Sequence, residues 1–375
     1  MNILGIETSC DETAAAVVVD GHRVRSNVIA SQIALHQAHG GVVPELAARG
    51  HVTAIVPVVE AALGEAHLRR ADLDVIAVTV GPGLAGSLLI GVNVAKAMAY
   101  ALDRPFVGIN HLEAHIYANW IGPPEAPPPP PAFPLVCLLV SGGHTELILM
   151  TGHGRYRHLG RTLDDAAGEA FDKGARLLGL GYPGGPAIER AAATGEARQF
   201  DLPRAWLPGG HDFSFSGVKT ALLRLSERYR APDPPRAPAA SSPAGPFAEY
   251  TPRAFGPNAP IADLAASYQA AVVEVLAVKA ARAAHEFGAK TVLLAGGVAA
   301  NTALRQRLQR EVASLLGNDV PVRFPPLMYC TDNAAMVAGA AYFALRRGEQ
   351  AGWEADVHPR WPLVTMSDEP VSSPR

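Results

Sequence analysis

Residues 3–19 read ILGIETSCDETAAAVVV, in which two apolar runs flank a polar turn. Short apolar runs bounded by turn residues predict strands, so this segment predicts a β-hairpin with an acidic, hydroxyl-rich tip. The same arrangement returns about 130 residues later as LVCLLVSGGHTELILM, residues 135–150. The two hairpins indicate an internal duplication of architecture without sequence identity.

Strands and helices alternate between and beyond the hairpins. Residues 74–80 and 106–109 predict buried strands, and the breaker cluster GPGLAGS at 81–87 opens an alanine-rich helix that ends near Leu102. This alternation favours an α/β fold whose central strands are mainly parallel. The length of 375 residues predicts two domains, or one fold duplicated into two lobes.

Two proline-rich segments divide the chain. We expect an N-terminal lobe at 1–121, a semi-rigid connector at 122–134, and a C-terminal lobe at 135–346 that carries a helical insertion. Within that lobe, residues 231–260 are rich in Pro, Ala, Ser and Gly and predict a mobile surface loop. The tail at 347–375 has little periodicity, so its structure is left open.

Composition limits the class of protein. Hydrophobic residues make up 49% and charged residues 18%, which suits a globular protein with a large core. No apolar run reaches about 18 residues without a charge, so we expect no membrane insertion. The three distant cysteines, Cys10, Cys137 and Cys330, resemble no disulfide framework and favour the cytoplasm. A net charge of −3 provides no general attraction to nucleic acid.

The segment HLEAH places His111 and His115 four residues apart. On a helix both imidazoles would share one face, which is the spacing that two ligands of one metal ion need. The competing interpretation is a pair of packing or surface histidines. Glu113 does not occupy the position of the zinc-protease glutamate, and it would point to the opposite side of the helix.

Asp332 is the candidate for a third metal ligand, since it precedes the last predicted helix. Its competing interpretation is a helix N-cap. Two imidazoles and one carboxylate would leave coordination positions open, a donor set that suits iron or zinc.

Three glycine turns, at 142–143, 184–185 and 296–297, lie near predicted strand or helix ends, where backbone N–H groups can face an anion. Together they predict nucleotide binding. Asp172 could accept hydrogen bonds from ribose hydroxyls, and Asn301 could cap a helix or contact a ligand. The other acids of residues 163–173 are expected on a solvated helix face.

Seven segments taken in order resemble one known family, the bacterial TsaD proteins, also called Gcp or YgjD. They are IETSCDET (6–13), GVVPE (41–45), GPGL (81–84), HLEAH (111–115), LVSGGHT (139–145), FSGVK (215–219) and CTDN (330–333). The likeness covers about residues 1–345. The proline-rich segments at 122–134 and 231–260 look longer than the family pattern requires.

The resemblance implies an actin-like ASKHA fold, in which two duplicated lobes have central mixed sheets flanked by helices. It also implies transfer of the threonylcarbamoyl group from threonylcarbamoyl-AMP to N6 of adenosine 37 in tRNAs that read codons starting with A. One divalent metal ion per chain is implied, with iron expected and zinc as the alternative. The metal ligands would be His111, His115 and Asp332. The substrate-binding residues would be Leu139, Val140, Ser141, Gly142, Gly143, Asp172, Gly185, Glu189 and Asn301.

Further roles are expected around this reaction. Asp11 and Glu12, at the tip of the first hairpin, are the catalytic candidates for taking the N6 proton, against ordinary roles in capping the turn. Relatives act with a TsaB-like paralogue and a TsaE-like ATPase. We expect one arginine cluster, Arg224, Arg228 and Arg230, to form part of the tRNA surface, which a partner would complete.

Three other functions compete with this interpretation. A metalloprotease is disfavoured because HLEAH lacks a correctly placed general base. An actin-like ATPase or sugar kinase would be supported by the glycine turns. A scaffold that binds nucleotide and a paralogous partner would need no transfer chemistry.

Overall fold

The computed structural model describes residues 1–37, 39, 41–231 and 254–364. The predicted mobile loop at 231–260 therefore lies largely outside the described residues. The strands are β1 (Asn2–Glu7), β2 (Glu12–Val19), β3 (Arg23–Ser31), β4 (Val75–Gly81), β5 (Phe106–Asn110), β6 (Leu135–Val140), β7 (Thr145–Gly152), β8 (Arg155–Arg161), β9 (Thr291–Ala295) and β10 (Val322–Arg323). The α-helices are α1 (Ile33–Gln37), α2 (Pro44–Glu65), α3 (Ala85–Leu102), α4 (His111–Tyr117), α5 (Ala167–Leu178), α6 (Gly184–Ala192), α7 (Ser216–Ser226), α8 (Ile261–Glu286), α9 (Thr302–Leu316) and α10 (Ala334–Arg346).

The strands form two five-stranded sheets with the same topology. The first has the order β3-β2-β1-β4-β5 and the second the order β10-β9-β6-β7-β8. In each sheet a three-stranded antiparallel meander (β1–β3 or β6–β8) continues into two parallel strands (β4 and β5, or β9 and β10). The predicted duplication is confirmed, and the fold is the actin-like ASKHA fold with mixed central sheets. The central strands are mixed rather than mainly parallel, because each lobe opens with a hairpin.

Helices α4 and α10 lie between the two sheets. One continuous core contains Ile3 and Val107 of the first sheet, Leu112 of α4, Leu293 of the second sheet, and Ala338 of α10. Helix α10 packs mainly on β1, α4 and β2, although it follows the second sheet in the chain. The two lobes therefore share part of their interior.

Close packing of α10 on β1 depends on a glycine. A Cβ at Gly5 would lie 2.2 Å from the backbone oxygen of Ala334 and 2.8 Å from the backbone nitrogen of Ala338. Neither atom can move without shifting the helix, so the strand and helix can approach this closely only because position 5 lacks a side chain.

We expect Gly5→Ala to lower the free energy of unfolding by about 1–3 kcal/mol through overpacking. It should also weaken metal binding, because Asp332 precedes the displaced helix by two residues. Thermal melts and metal titration would measure both effects. Gly64→Ala is the matched control: its Cβ would meet nothing within 4 Å, and alanine is favoured in a helix. Equal melting temperatures for the two variants would contradict this packing argument.

Three helices, α2, α3 and α8, are long and apolar enough to cross a membrane by length and composition alone. Their apolar residues also pack in the fold. Val59 of α2 and Val92 of α3 belong to the core on one side of the first sheet, and Leu276 of α8 belongs to the core of the second lobe. Packing accounts for part of this apolar character, and the absence of membrane insertion stays our prediction.

Candidate metal centre and substrate site

Three predicted ligand side chains meet at the start of α4. The Nε2 atoms of His111 and His115 lie 3.5 Å and 3.2 Å from the Oδ1 atom of Asp332. One ligand atom from each residue lies within 4.8 Å of the others. The helical i, i+4 spacing brings the two rings together, with their centroids 4.6 Å apart.

The histidines fit a metal ion better than a packing role. His115 is only 1% exposed, and among the described residues its buried Nδ1 atom has no hydrogen-bond partner, while its Nε2 atom has only the Asp332 carboxylate at 3.2 Å. A buried polar atom without a partner is costly, and metal coordination would satisfy one of these two nitrogens. The group His111, His115 and Asp332 could therefore bind a divalent metal ion with N and O donors.

Asp332 does not cap the last helix. Asn333 occupies the N-cap position of α10, where its side-chain oxygen accepts a hydrogen bond from Met336 N at 3.0 Å. The N-cap interpretation of Asp332 is therefore wrong, and its carboxylate is directed to the histidines. Burial raises the pKa of Asp332, but the neighbouring His111 and His115 outweigh this and lower it to about 2.

Sequence reasoning missed Glu7, whose carboxylate contacts the Nδ1 side of the His111 ring. Its Oε2 atom lies 3.0 Å from Nδ1 of His111 and accepts a hydrogen bond from the Thr79 hydroxyl at 2.6 Å. Its Oε1 atom accepts one from Ser9 N at 2.6 Å. Burial lowers the pKa of His111, but the charges of Glu7 and Asp332 raise it to about 9. Glu7 thus fixes the ring with Nε2 facing the other ligands.

We expect Glu7→Gln to weaken metal binding by about 10- to 100-fold, the usual effect of losing a carboxylate partner of a histidine ligand. Competition with a chromophoric chelator would measure the affinity. Thr79→Val is the matched control, because it removes a donor to the same carboxylate and keeps the contact between Glu7 and His111. Unchanged metal affinity in Glu7→Gln would remove Glu7 from this role.

The acidic tip of the first hairpin lies near the metal group. Asp11 is 6% exposed, and Oε1 of Glu12 accepts a hydrogen bond from the Ser31 hydroxyl at 3.1 Å. Burial and the charges of Asp332 and Asp11 raise the pKa of Glu12 to about 9. The hairpin therefore brings the Glu12 carboxyl group into the electrostatic field of the metal group.

Glycine turns meet at one edge of the second sheet. Parallel pairing places Leu139 beside Ala295, so the turns at 141–143 and 296–297 leave adjacent strand ends. Gly296 has a φ of +87°, and a Cβ there would lie 2.4 Å from the Val140 oxygen. A Cβ added at Gly142 or Gly143 would meet nothing within 4 Å, so a ligand has space to approach the backbone there.

Asp172 of α5 contacts the first turn of α6, which contains Gly185. Oδ1 of Asp172 accepts a hydrogen bond from Gly184 N at 2.7 Å, and burial raises the pKa of its carboxyl group. A Cβ on Gly185 would meet nothing within 4 Å. This turn therefore exposes backbone beside a half-buried acid, as a ribose or phosphate site requires.

Asn301 and Glu189 hold the start of α9. The Asn301 side chain caps the helix by accepting from Leu304 N at 2.9 Å and donates to Gln269 at 2.9 Å. Oε1 of Glu189 accepts from Thr302 N at 2.8 Å. The capping interpretation of Asn301 is confirmed, and ligand contact by both residues stays a prediction.

The acids before α5 do not form a solvated helix face, because the helix begins only at Ala167. Asp164 accepts hydrogen bonds from the hydroxyls of Ser214 and Ser216, and Asp165 forms an ion pair with Lys219. That prediction was wrong for these two residues. They bind the FSGVK segment to the start of α5 instead.

Glu113 points away from the metal group, as its position in the motif predicts. Its Oε1 atom accepts hydrogen bonds from Tyr156 at 2.7 Å and from Arg347 at 3.1 Å. Because these contacts lie on the far side of α4, Glu113 cannot serve as the general base of a metalloprotease.

Comparisons with known proteins agree with this geometry. A family model described as "TsaD: tRNA N6-adenosine threonylcarbamoyltransferase" matches residues 23–339. The tRNA N6-adenosine threonylcarbamoyltransferase of Thermomicrobium roseum is 64% identical over 369 residues, covering 98% of both chains. The enzyme of the same name from Dehalococcoides mccartyi is 52% identical over 359 residues, covering 96% of this chain and 98% of that protein.

Solved structures are similar at the level of the fold. The crystal structure of T. kodakarensis HypF is 16% identical with a TM-score of 0.58, and the match covers 92% of this chain and 48% of HypF. At this identity the likeness supports the two-lobed architecture alone.

Proposed function

The chain belongs to the TsaD family of tRNA N6-adenosine threonylcarbamoyltransferases, and we propose that His111, His115 and Asp332 hold the metal ion used in its reaction. The enzyme transfers a threonylcarbamoyl group to N6 of adenosine 37 in tRNA. The gathering of the three ligand atoms within 4.8 Å is the observation that supports the metal site.

We propose iron as the metal, with zinc as the alternative, because two imidazoles and one carboxylate suit both. When bound, such an ion supplies a Lewis acid that polarises a carbonyl oxygen. Glu7 orients His111 for this role through its contact with Nδ1.

The glycine turns are proposed to hold the AMP part of threonylcarbamoyl-AMP, with Asp172, Glu189 and Asn301 around it. The donor is a mixed carbamic-phosphoric anhydride, so its carbonyl carbon is already activated. N6 forms a bond to that carbon, the bond to the phosphate oxygen breaks, AMP leaves, and N6 loses one proton. Holding AMP and N6 in line supplies much of the acceleration.

Asp11 and Glu12 are the proposed acceptors of the N6 proton. Both belong to the hairpin tip beside the metal group. The pKa of about 9 leaves the Glu12 carboxyl group largely protonated near neutral pH, so of the two residues we propose Asp11 as the first acceptor. Separate Asp11→Asn and Glu12→Gln variants, assayed at saturating substrates, would show which of them limits turnover.

A TsaB-like paralogue and a TsaE-like ATPase are the proposed partners, and the cytoplasm is the proposed location. The partner would add positive charge, because this chain carries a net charge of −3 and RNA binding depends on neutralising phosphates.

Only two of the three arginines proposed for the tRNA surface are accessible. Arg224 and Arg228 are exposed. The guanidinium of Arg230 is buried, since it donates to the Leu177 oxygen at 2.6 Å and lies 4.0 Å from the ring centre of Phe255. Arg230 therefore has a structural role.

We expect charge reversal of Arg224 and Arg228 to glutamate to reduce transfer to tRNA. The slope of log tRNA affinity against log salt concentration should become shallower by about one per arginine. Binding of a non-reactive threonylcarbamoyl-AMP analogue should stay unchanged. The salt dependence of tRNA affinity measures the effect, and an unaltered slope would exclude this surface.

Reconstitution tests the proposed function. The full chain, tRNA, synthetic threonylcarbamoyl-AMP and the partners are combined, and nucleoside mass spectrometry measures threonylcarbamoyladenosine. We expect product that depends on this chain and on the metal, with loss after chelation and recovery on adding iron or zinc. Undiminished product from a metal-free enzyme would refute the metal proposal.

A further inference from the structure

The tail that follows α10 returns to the loop after β4. The backbone nitrogen of His358 donates to the Val80 oxygen at 2.7 Å, and Gly83 N donates to the Pro359 oxygen at 3.2 Å. A Cβ on Gly81 would lie 2.0 Å from the His358 oxygen, so the loop and the tail are in close backbone contact. The backbone of the tail at His358 and Pro359 therefore packs directly on this loop.

The tail is also attached to the metal helix. Asn110 is the N-cap of α4 and directly precedes His111; its Oδ1 accepts from Leu112 N at 2.9 Å. Its Nδ2 donates to the Trp361 oxygen at 3.2 Å. One side chain thus joins the start of the metal helix to the tail.

A cavity of about 440 Å³ opens between the tail, the start of α4 and the second hairpin. Leu112, His144, Arg360 and Trp361 contribute to its walls. Burial lowers the pKa of His144, Glu146 opposes this, and the charge of His111 lowers it further, so this wall lies within the field of the metal group. We call this cavity the tail pocket.

The walls of the tail pocket carry a cation, an aromatic side chain and the carboxylate of Glu146, which lies 3.5 Å from Nε2 of His158. Arg360 is exposed, and its guanidinium forms no ion pair with any residue that the structure describes. Trp361 is partly buried, its ring centre lies 5.5 Å from that of His358, and it lines the same cavity as Arg360. An arginine without an ion-pair partner and an aromatic ring in one cavity form a combination that binds single-stranded RNA, through the phosphate and by stacking of the base.

We propose that the tail pocket binds one unpaired nucleotide of the tRNA anticodon loop next to the target adenosine. The base stacks on Trp361 and the phosphate pairs with Arg360. The cavity volume lies near the lower end of the range of ligand pockets, about 300–1,000 Å³, which suits one nucleotide rather than several. This inference rests on the tRNA substrate of the proposed function, and it gives the tail a part in recognising the acceptor.

The test uses the full chain with its partners and an anticodon stem-loop RNA that carries 2-aminopurine beside the target adenosine. Stacking on Trp361 should quench the 2-aminopurine in the wild-type complex. Trp361→Ala should abolish this quenching and weaken RNA binding by about 10-fold or more, whereas Trp361→Phe should retain most of both. Arg360→Ala should lower the salt slope of RNA binding by about one.

Two variants serve as matched controls. Trp353→Ala removes an exposed tail tryptophan outside the pocket, and Arg346→Ala removes one exposed positive charge at the end of α10. Both should bind RNA like the wild type. Affinity for a threonylcarbamoyl-AMP analogue should stay within twofold in every variant.

Two results would overturn the proposal. One is unchanged RNA affinity and quenching in both Trp361→Ala and Arg360→Ala; the other is a loss of analogue affinity with RNA affinity kept, which would make the cavity part of the donor site. Product formation by the wild type is measured in the same mixtures. Absence of product would count against the proposed function. An active wild type, with unchanged RNA affinity and quenching in the Trp361 and Arg360 variants, would count against the tail pocket alone.

Discussion

Replacing Asp332 by alanine is expected to remove most of the bound metal and to lower threonylcarbamoyl transfer by more than about 100-fold. The change deletes the carboxylate that lies 3.2 Å and 3.5 Å from the two histidine nitrogens. It leaves the two imidazoles as the remaining protein ligands, and two ligands bind a divalent ion far more weakly than three do. Loss of a metal ligand should weaken metal binding by more than the 10- to 100-fold expected for loss of a ligand's hydrogen-bond partner.

The fold should survive this change, because Asn333 caps α10. Metal content by elemental analysis, transfer by nucleoside mass spectrometry and the melting temperature separate the effects. His111→Ala and His115→Ala should lose metal in the same way. Asp332→Asn is the matched control for size, and it should also lose metal because its side chain carries no charge. Full metal occupancy in Asp332→Ala would refute the assignment.

Replacing Arg347 by alanine is expected to lower the free energy of unfolding by about 3–5 kcal/mol, because it leaves the Glu113 carboxylate buried without its cation. The side chain of Glu113 is 11% exposed and that of Arg347 19%. Burial raises the pKa of Glu113 and Arg347 opposes the rise, so the remaining acid would take up a proton. Glu113 lies between His111 and His115 in the sequence of α4. A shift of this helix should therefore weaken metal binding as well.

Thermal melts and metal titration would measure this effect. Glu349→Ala is the matched control: it removes the more exposed partner of Arg347 and should cost less than about 1 kcal/mol. The double variant Glu113→Gln with Arg347→Met should recover much of the loss, since it removes both charges. A melting temperature for Arg347→Ala equal to that of Glu349→Ala would show that the buried pair does not stabilise the fold.

Local patterns predicted the parts of the fold that depend on neighbouring residues. The two hairpins follow from apolar runs that flank polar turns, and the shared face of His111 and His115 follows from helical periodicity. The direction of Glu113 follows from the same periodicity. Such features depend only on the spacing of residues along the chain, and this spacing can be read from a single sequence.

Contacts between distant segments were beyond this reasoning. Glu7 lies 104 residues from His111, and nothing local distinguishes it from the other acids of the first hairpin. The packing of α10 on β1 also depends on how the two lobes close. Asp332 was read as a possible cap because Asp and Asn have similar capping preferences, and only the structure shows that Asn333 fills that position.

The core that contains α4 and α10 has a consequence for how the protein folds. Each sheet buries one face on residues that also pack against the other sheet, so neither half of the chain can complete its interior alone. Separate domains melt in separate steps, whereas segments that share a core lose their structure together. The two lobes should therefore behave as one cooperative unit in calorimetry, and a fragment ending at the proline-rich connector should remain unfolded without the rest of the chain.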